Sequence, residues 1–595
     1  MLDRFRETLD EEFRIYEHEG NDKVVSLSEA VRQNVRPGML LHFEHNHCIR
    51  ANAILYEIIR QFRGKDPQFT AIIIGLGSNG VAFVHSGVVK KLITTAAGEG
   101  FPRPGPNYAF QRAYKNGRVE FENWSIFTLP LRLMAGAMGV GFMPTKSLIG
   151  SSMMDENVDD FKIIDDPFGR DQSVGVVKPL NPDITFIHGL AADQYGNTIM
   201  TPPSGENLYA PMASEFGAVV TVEKIVSTDF IRRYAHFVKL PGYLVRSVSE
   251  VPLGAHPYGI SNLGIKELDV SYAEDNEFIL KVREASKSDE ALEEWMQKWV
   301  LDCSTHEDYI KKLGYKKVLF LKGKANSDSW KYELLDASDK LSIQDTANDT
   351  EWMIVIGARK IQQRSKENHY KTILSGVGAS NLAAWLAYYS LRNEGYSVDL
   401  MAEMGFFGYT PRPADPFIFN FRNIATCKML SDIPTTIGLH TAGIHNQCIG
   451  LLGAAQVDKH GNLNSTKIPE LKLYIIGSGG ANDVASGARE TMALVSLGKQ
   501  RYVDRVSYIT SPGSKVKTVV SNMGVFEKVN GSDELVLTGY FEKHDVGSKE
   551  EIVREIKKQC GWELRVAEPL EAFAPPNHKE LQILRLCDPH GYFIG

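Results

Sequence analysis

The order of apolar and polar positions along the chain predicts strands that alternate with helices. In the first half, apolar runs of strand length at 70–74 and 183–187 are separated by longer helical patterns such as 51–62. In the second half, a short strand at 372–374 leads through a glycine turn into a helical pattern at 381–392. Because strands separated by helices are typical of parallel sheets, the pattern predicts an α/β fold with parallel-rich sheets flanked by helices.

Two segments near the middle of the chain indicate where one half ends. Residues 286–312 are rich in charge and in helix-forming residues and carry an apolar stripe, which predicts a docking helix at the end of the first module. Residues 322–349 are mostly polar, as linkers are. We therefore divide the chain into a first module at 1–325, a linker at 326–349 and a second module at 350–595.

Composition and charge narrow the class of protein. The chain has 595 residues, 43% of them hydrophobic, and a net charge of -7, which describes an ordinary globular protein with no sign of nucleic-acid binding. Six scattered cysteines fit neither a disulfide framework nor a zinc cluster and indicate a reducing compartment. The N-terminal segment lacks a signal peptide's apolar core, and no apolar run approaches the ~20 residues that span a bilayer. We expect a cytoplasmic protein without a membrane segment.

Glu403 is the first residue with catalytic potential. It lies at the end of a strand predicted at 395–401 and is followed by a turn that contains Gly405 and Gly408. A carboxylate attacks acyl groups only when it is held close, partly desolvated and beside donors that stabilise the oxyanion. On this local pattern alone, a solvated acid in a loop is the alternative interpretation.

Two glycine-containing segments downstream favour the catalytic interpretation. Residues 451–465 form an apolar strand with Gln456 near its exit, followed by a Gly-Asn turn. Residues 475–488 form a strand that feeds a glycine-rich loop and then a helix. Such loops free backbone N–H groups that bind a phosphate or an oxyanion, although some only pack a helix on a strand.

In combination these segments resemble the family I coenzyme A transferases, and most closely the glutaconate CoA-transferase type. Ala402-Glu403-Met404-Gly405 is similar to the family's Glu-x-Gly nucleophile motif. The resemblance covers nearly the whole chain, with residues near 20–320 similar to one subunit and residues near 350–590 similar to the other. Further matching segments lie at 142–145, 191–197, 254–259, 452–465, 477–486, 508–513 and 522–527.

The resemblance implies two related CoA-transferase-type modules fused in one chain and a covalent, ping-pong reaction. Glu403 would take CoA from an acyl-CoA as a glutamyl-CoA thioester and pass it to a carboxylic acid, with no cofactor and no metal. Whether the chain forms a homo-oligomer is left open. The residues that would bind the oxyanion or CoA are Gly376, Val377, Gly378, Gly479, Gly480 and Gln456.

Two other functions remain open on the sequence. Related hydrolases that cleave thioesters or carbon-carbon bonds share this scaffold but lack the glutamate nucleophile, so Glu403 favours the transferase. A non-catalytic acyl-CoA-binding protein would leave Glu403 idle beside intact glycine loops.

A glutaconate-type resemblance indicates a dicarboxylic or otherwise polar acid as substrate. Arg103, Arg412 or the segment 42–47, including His45, would then pair with the distal carboxylate, although either arginine fits an ordinary surface position. The same segment does not predict a metal site, because a strand places His42 on the opposite face from His45 and His47.

Overall fold

The computed structural model describes residues 2–16, 20–44, 50–101, 103–169, 173–206, 208–262, 264–529, 531–543 and 547–595. The strands before the middle of the chain are β1 Leu40–Phe43, β2 Phe69–Leu76, β3 Val89–Ala97, β4 Glu120–Asn123, β5 Met143–Thr145, β6 Phe161–Asp165, β7 Ser173–Val177, β8 Ile184–Ala192, β9 Thr198–Ile199, β10 Ala218–Ile225, β11 Val238–Leu240 and β12 Val245–Glu250. The helices of this part are α1 Arg6–Glu12, α2 Leu27–Asn34, α3 Asn52–Phe62, α4 Val81–His85, α5 Tyr108–Lys115, α6 Thr128–Met138, α7 Ser152–Glu156, α8 Ala210–Ala213, α9 Thr228–Arg233, α10 Asn276–Ala285, α11 Asp289–Met296, α12 His306–Leu313, α13 Tyr315–Lys324 and α14 Trp330–Asp336.

The rest of the chain has the same alternation. Its strands are β13 Thr372–Ser375, β14 Asp399–Ala402, β15 Phe406–Tyr409, β16 Met429–Leu430, β17 Cys448–Gly453, β18 Gln456–Asp458, β19 Leu463–Asn464, β20 Lys467–Ile468, β21 Leu473–Tyr474, β22 Glu490–Leu494, β23 Tyr502–Val503, β24 Val516–Val520, β25 Gly524–Glu527, β26 Val536–Phe541 and β27 Val566–Phe573. Its helices are α15 Asp349–Glu367, α16 Ala379–Asn393, α17 Phe421–Ile424, α18 Ala481–Gly487, α19 Lys549–Gln559 and α20 His578–Cys587.

Each half builds a sheet around a parallel core. The first core has the order β12-β10-β8-β1-β2-β3-β4, with β9 and β11 added in antiparallel pairs. Strand β8 is buried at every position, as a strand covered on both faces must be. The second core has the order β24-β22-β17-β13-β14. The predicted α/β fold with parallel-rich sheets flanked by helices is confirmed.

Five strands of each core share one topology, which shows that the halves are related. When only these five strands are counted in chain order, the first lies between the second and the third, and the fourth and fifth follow beyond the third. This order appears as β12-β10-β8-β1-β2 in one sheet and as β24-β22-β17-β13-β14 in the other.

A repeated corner supports the relation between the halves. Asp193 Oδ1 accepts from the Asn197 N–H at 2.9 Å, and its Oδ2 accepts from the Asn197 amide at 2.9 Å. Asp458 and Asn462 make the same two bonds, each at 3.0 Å. Both corners read Asp-x-x-Gly-Asn, and the aspartate closes each turn by accepting backbone N–H groups.

The two sheets meet along the loop that precedes helix α18. The Gly479 N–H donates to Thr95 O at 2.9 Å, and Gly479 O accepts from the Ile126 N–H at 2.9 Å. Ile476 O accepts from the Ala97 N–H at 2.7 Å. Strand β3 of the first sheet therefore holds a glycine loop of the second half in place.

Residues 326–349, where we predict the linker, contain helix α14. Glu333 on this helix forms an ion pair with Arg422, which also lies 3.3 Å from Asp415 Oδ2. Arg422 is 1% exposed, so this buried pairing ties the segment to the second half. Within the described ranges, no helix has the length and apolar character needed to cross a membrane.

Candidate active site

Glu403 is the residue that directly follows strand β14. Strands β14 and β15 pair in antiparallel fashion, so the chain must reverse between Ala402 and Phe406. Gly405 allows this reversal because its φ is +116° and a Cβ there would press on the Ser431 backbone. The tight turn fixes Glu403 at the carboxyl end of the sheet.

Glu403 opens into a cavity of about 500 Å³ between the two halves. Ligands of α/β proteins bind at the carboxyl ends of parallel strands, and here strands of both sheets point those ends at one cavity. The segments that line it beside Glu403 include 75–76, 98–100, 375–380, 452–455, 475–481 and 494–496.

Two features of the surroundings raise the pKa of Glu403 to about 7. The larger cause is burial, because Glu403 is only partly exposed where it lines the cavity. The smaller cause is the nearby negative charge of Asp483. The Gly480 N–H opposes both by donating to the carboxylate. A carboxylate with a raised pKa is a stronger base and nucleophile once it is ionised.

Asp483 on helix α18 is a second buried carboxyl group, which the sequence did not single out. Its Oδ1 accepts from the Ser125 hydroxyl at 2.6 Å and its Oδ2 from the Phe127 N–H at 3.1 Å. Burial raises the pKa of Asp483 to about 7, against these hydrogen bonds. Since both donors belong to the first half, the group that acts on Glu403 is fixed by a contact between the halves.

The loop 376–378 contributes one free amide to the cavity. The Gly376 N–H donates to Leu451 O at 2.9 Å, and the Gly378 N–H donates to the Asn381 side chain at 2.8 Å. Within the described part of the chain, the Val377 N–H has no acceptor. Of the three predicted donors in this loop, Val377 is therefore the one that can bind an oxyanion.

The second glycine loop offers a further donor at Ser478. The Gly479 N–H is used by Thr95, and the Gly480 N–H by Glu403. Ser478 lines the cavity and is 4% exposed, and its hydroxyl has no hydrogen-bond partner among the described residues. A buried hydroxyl without a partner is costly, so a rotation that turns the Ser478 hydroxyl toward the cavity would make it a candidate donor to a substrate.

The remaining predicted residues lie in different places. The amide group of Gln456 bonds to Asn464 at 2.9 Å and lies outside the cavity wall. Arg103 lines the cavity, but its guanidinium donates to the backbone carbonyls of Tyr592 and Gly595. Arg412 is half-buried in the turn after β15 and is not part of the wall.

The histidine segment at 42–47 is described only in part. His42 is fully buried on β1, where burial lowers its pKa to about 3 and keeps the imidazole neutral. Glu44 accepts from the His188 N–H at 2.6 Å. His45 lies outside the described residues.

Comparison with known families places the chain among enzymes that handle coenzyme A thioesters. The coenzyme A transferase family matches residues 24–251 and 442–544, which is more than half of the chain. The chain belongs to that family, as the motif around Glu403 predicts.

The chain resembles both subunits of a two-subunit relative, glutaconate CoA-transferase of Acidaminococcus fermentans. One of the two subunits is 26% identical over 321 residues, which are 50% of this chain and 94% of that subunit. The other is 26% identical over 220 residues, which are 33% of this chain and 79% of that subunit. One chain that matches both subunits confirms the predicted fusion.

Two other relatives mark the range of similarity. An uncharacterised protein of Archaeoglobus fulgidus is 29% identical over 307 residues, and the match spans 64% of that protein and 50% of this chain. The acyl-CoA transferase YdiF apoenzyme of Escherichia coli O157:H7 is similar in fold, with a TM-score of 0.63 at 15% identity. That structural match covers 96% of this chain and 98% of YdiF.

Proposed function

We propose that the chain transfers coenzyme A from an acyl-CoA to a carboxylic acid through a glutamyl-CoA thioester on Glu403. The observation that carries the proposal is the carboxylate itself, held at the carboxyl ends of both sheets and facing a cavity lined by glycine loops. Its raised pKa makes it more nucleophilic than a solvated carboxylate.

In the first half-reaction, a Glu403 oxygen attacks the carbonyl carbon of the donor thioester and expels CoA as a thiolate. The product is a mixed anhydride of Glu403 and the donor acid. The thiolate then attacks the Glu403 carbonyl carbon and releases the donor carboxylate, which leaves CoA bound to Glu403 as a thioester. The second half-reaction runs these steps in reverse with the acceptor carboxylate.

The thioester energy is conserved at each step, so the proposed reaction needs neither ATP nor a metal. The protein places the nucleophile, stabilises each oxyanion and excludes water from the anhydride. The donor in place for the oxyanion is the Val377 N–H, and the buried Ser478 hydroxyl would add a second donor by rotating toward the cavity. Because reducing compartments keep thiols free, the free Cys303, Cys427 and Cys448 support a cytoplasmic location.

The covalent intermediate provides the direct test. Incubation with a donor acyl-CoA and no acceptor should leave CoA bound to Glu403, and mass spectrometry of the digested protein should find the adduct on the peptide that contains it. Free CoA released without an adduct, at a rate independent of acceptor acid, would instead identify a thioester hydrolase. An adduct on a cysteine would exclude the proposed mechanism.

Transfer should depend on pH through the ionisation of Glu403. We expect kcat/KM to fall as the pH drops through about 7, because protonation removes the attacking carboxylate. Asp483→Asn removes the nearby charge, so the pKa of Glu403 should fall and the acid limb should move to lower pH. Burial is the larger cause of the raised pKa of Glu403 and remains in the variant. The acid limb of Asp483→Asn should therefore still lie at a higher pH than that of an exposed glutamate.

The measurement is kcat/KM for one donor and one acceptor from about pH 5 to about pH 9. Thermal unfolding of Asp483→Asn checks that the contacts with Ser125 and Phe127 survive. An acid limb at the wild-type position in a folded Asp483→Asn would show that Asp483 does not act on Glu403.

Ser478→Ala should lower kcat by roughly 10- to 100-fold with little change in KM, because a hydroxyl that binds the oxyanion acts mainly in the transition state. Steady-state kinetics with a saturating acceptor measure the effect. Ser390→Ala on helix α16 is a control of the same chemistry away from the cavity. If Ser478→Ala and Ser390→Ala have equal kcat values, Ser478 is not an oxyanion donor.

A further inference from the structure

A second, smaller cavity adjoins the one that contains Glu403. The two share Glu99 and Gly100 in their walls, and both halves of the chain contribute to the smaller one. It has a volume of about 40 Å³, which is room for roughly three water-sized or methylene-sized groups. It is lined by residues 77–78, 99–101, 201–203 and 258–261, and by Glu274, Asn276, Ile279, Phe417, Phe419, Phe421 and Ile424.

Aromatic rings form much of this wall and connect it to the nucleophile. Phe417 packs on Phe101 with ring centroids 6.3 Å apart and on Phe419 at 5.7 Å. Phe419 in turn packs on Phe406 at 5.9 Å. Because Phe406 lies three residues beyond Glu403, on the strand that pairs with β14, the apolar wall is continuous with the element that carries the carboxylate.

The charged side chains in the wall are acidic. Glu99 and Glu274 line the cavity, and among the described residues no lysine, arginine or histidine does. Arg283 lies 4.0 Å from Glu99 and Lys324 lies 3.3 Å from Glu274, but neither cation is part of the wall. A second carboxylate on a bound acyl group would therefore meet no cation among the described residues of the wall itself, because Arg283, Lys324 and Arg422 lie outside the wall and already act on its two acids. Burying it there is unfavourable.

We propose that the smaller cavity receives the acyl group, and that the enzyme is specific for short, uncharged acyl chains and not for dicarboxylic ones. This inference rests on the proposed function, because it assumes that the thioester carbonyl is bound at Glu403. The pantetheine arm then occupies the larger cavity. The apolar rings cover the acyl chain, and the small volume limits its length to about three carbons beyond the carbonyl.

The test compares donors of equal carbon number that differ in charge. Butyryl-CoA and succinyl-CoA are each assayed with a saturating acceptor, and kcat/KM for butyryl-CoA should be about 100-fold higher or more. Hexanoyl-CoA should also be poor, because its chain is too long for the cavity. Equal or better use of succinyl-CoA, or rates that do not depend on chain length, would overturn the assignment.

Two variants locate the effect in the smaller cavity. Glu274→Gln keeps the shape of the wall and removes one charge, so the ratio of succinyl-CoA to butyryl-CoA use should rise by roughly 10-fold. Ile279→Ala deepens the cavity, so the preferred chain should lengthen from butyryl toward hexanoyl. Unchanged preferences in both variants, with wild-type unfolding temperatures, would show that the acyl group binds elsewhere.

The same experiment separates failure of the specificity from failure of the function. Mass spectrometry records the Glu403 adduct for every donor. If succinyl-CoA forms the adduct as fast as butyryl-CoA, the specificity is wrong and the CoA-transfer mechanism stands. If no donor forms it under conditions of turnover, the proposed function itself is wrong, and the acyl-group assignment fails with it.

Discussion

Glu403→Gln is expected to lower kcat for CoA transfer by several powers of ten, as loss of a covalent nucleophile does in other enzymes. Glutamine matches the shape of the protonated side chain, so the turn at Gly405 and the neighbouring loops should be unchanged. Its amide is a far weaker nucleophile and cannot form the anhydride. Transfer is measured with saturating donor and acceptor, and the glutamyl-CoA adduct should be absent.

The stability of the same variant shows whether it is folded. Native Glu403 keeps its proton up to about pH 7, whereas an unfolded chain releases it near the ordinary value of 4.5. Ionisation therefore destabilises the native state increasingly as the pH rises through that window. At about pH 8, Glu403→Gln should unfold with a free energy roughly 1 to 3 kcal/mol larger than wild type. A folded variant that still transfers CoA near the wild-type rate would exclude Glu403 as the nucleophile.

The fold around the site follows from local pattern. The helix predicted at 381–392 forms as α16, and the apolar run at 372–374 forms as β13. Alternation of short apolar runs with helical patterns identifies such elements because buried parallel strands need covering helices. The same pattern predicts that the loops after neighbouring parallel strands converge, because the carboxyl ends of these strands lie at one edge of the sheet.

The relation between the halves was not visible from residue identity. The corners that begin at Asp193 and Asp458 share only three residue types over five positions. Their likeness lies in which backbone groups the aspartate accepts, and that is a property of the folded turn. In the sequence, the shared Asp, Gly and Asn of these two corners are the signal that could have revealed the repeat.

The availability of donors in the site could not be read from the sequence. Glycine loops predict exposed N–H groups, yet the Gly376 and Gly378 amides are used by partners within the second half and the Gly479 amide by Thr95 in the first. The roles of Ser478 and Asp483 depend on the meeting of the two sheets. The sequence also could not show that the guanidinium of Arg103 is already used, because the Tyr592 carbonyl that it contacts is 489 positions away along the chain.

Gly480→Ala should reduce transfer by about 100-fold or more, because it displaces the nucleophile without altering it. A Cβ at this position would overlap Glu403 Oε2 and would lie 3.1 Å from Glu403 Cδ and 3.3 Å from the Ile126 side chain. The loop cannot easily retreat, since Gly479 is hydrogen-bonded to Thr95 and Ile126. The Glu403 carboxylate must therefore move, and this movement distorts the hydrogen bond that it accepts from the Gly480 N–H.

The expected result is a large loss of kcat/KM and slow formation of the glutamyl-CoA adduct, with CoA binding retained because the rest of the larger cavity is unchanged. Gly498→Ala is the matched control, because a Cβ there meets no atom within 4 Å. The control should transfer CoA and unfold like the wild type. If Gly480→Ala also forms the adduct at the wild-type rate, then contact between this glycine and Glu403 does not set the position of the attacking carboxylate.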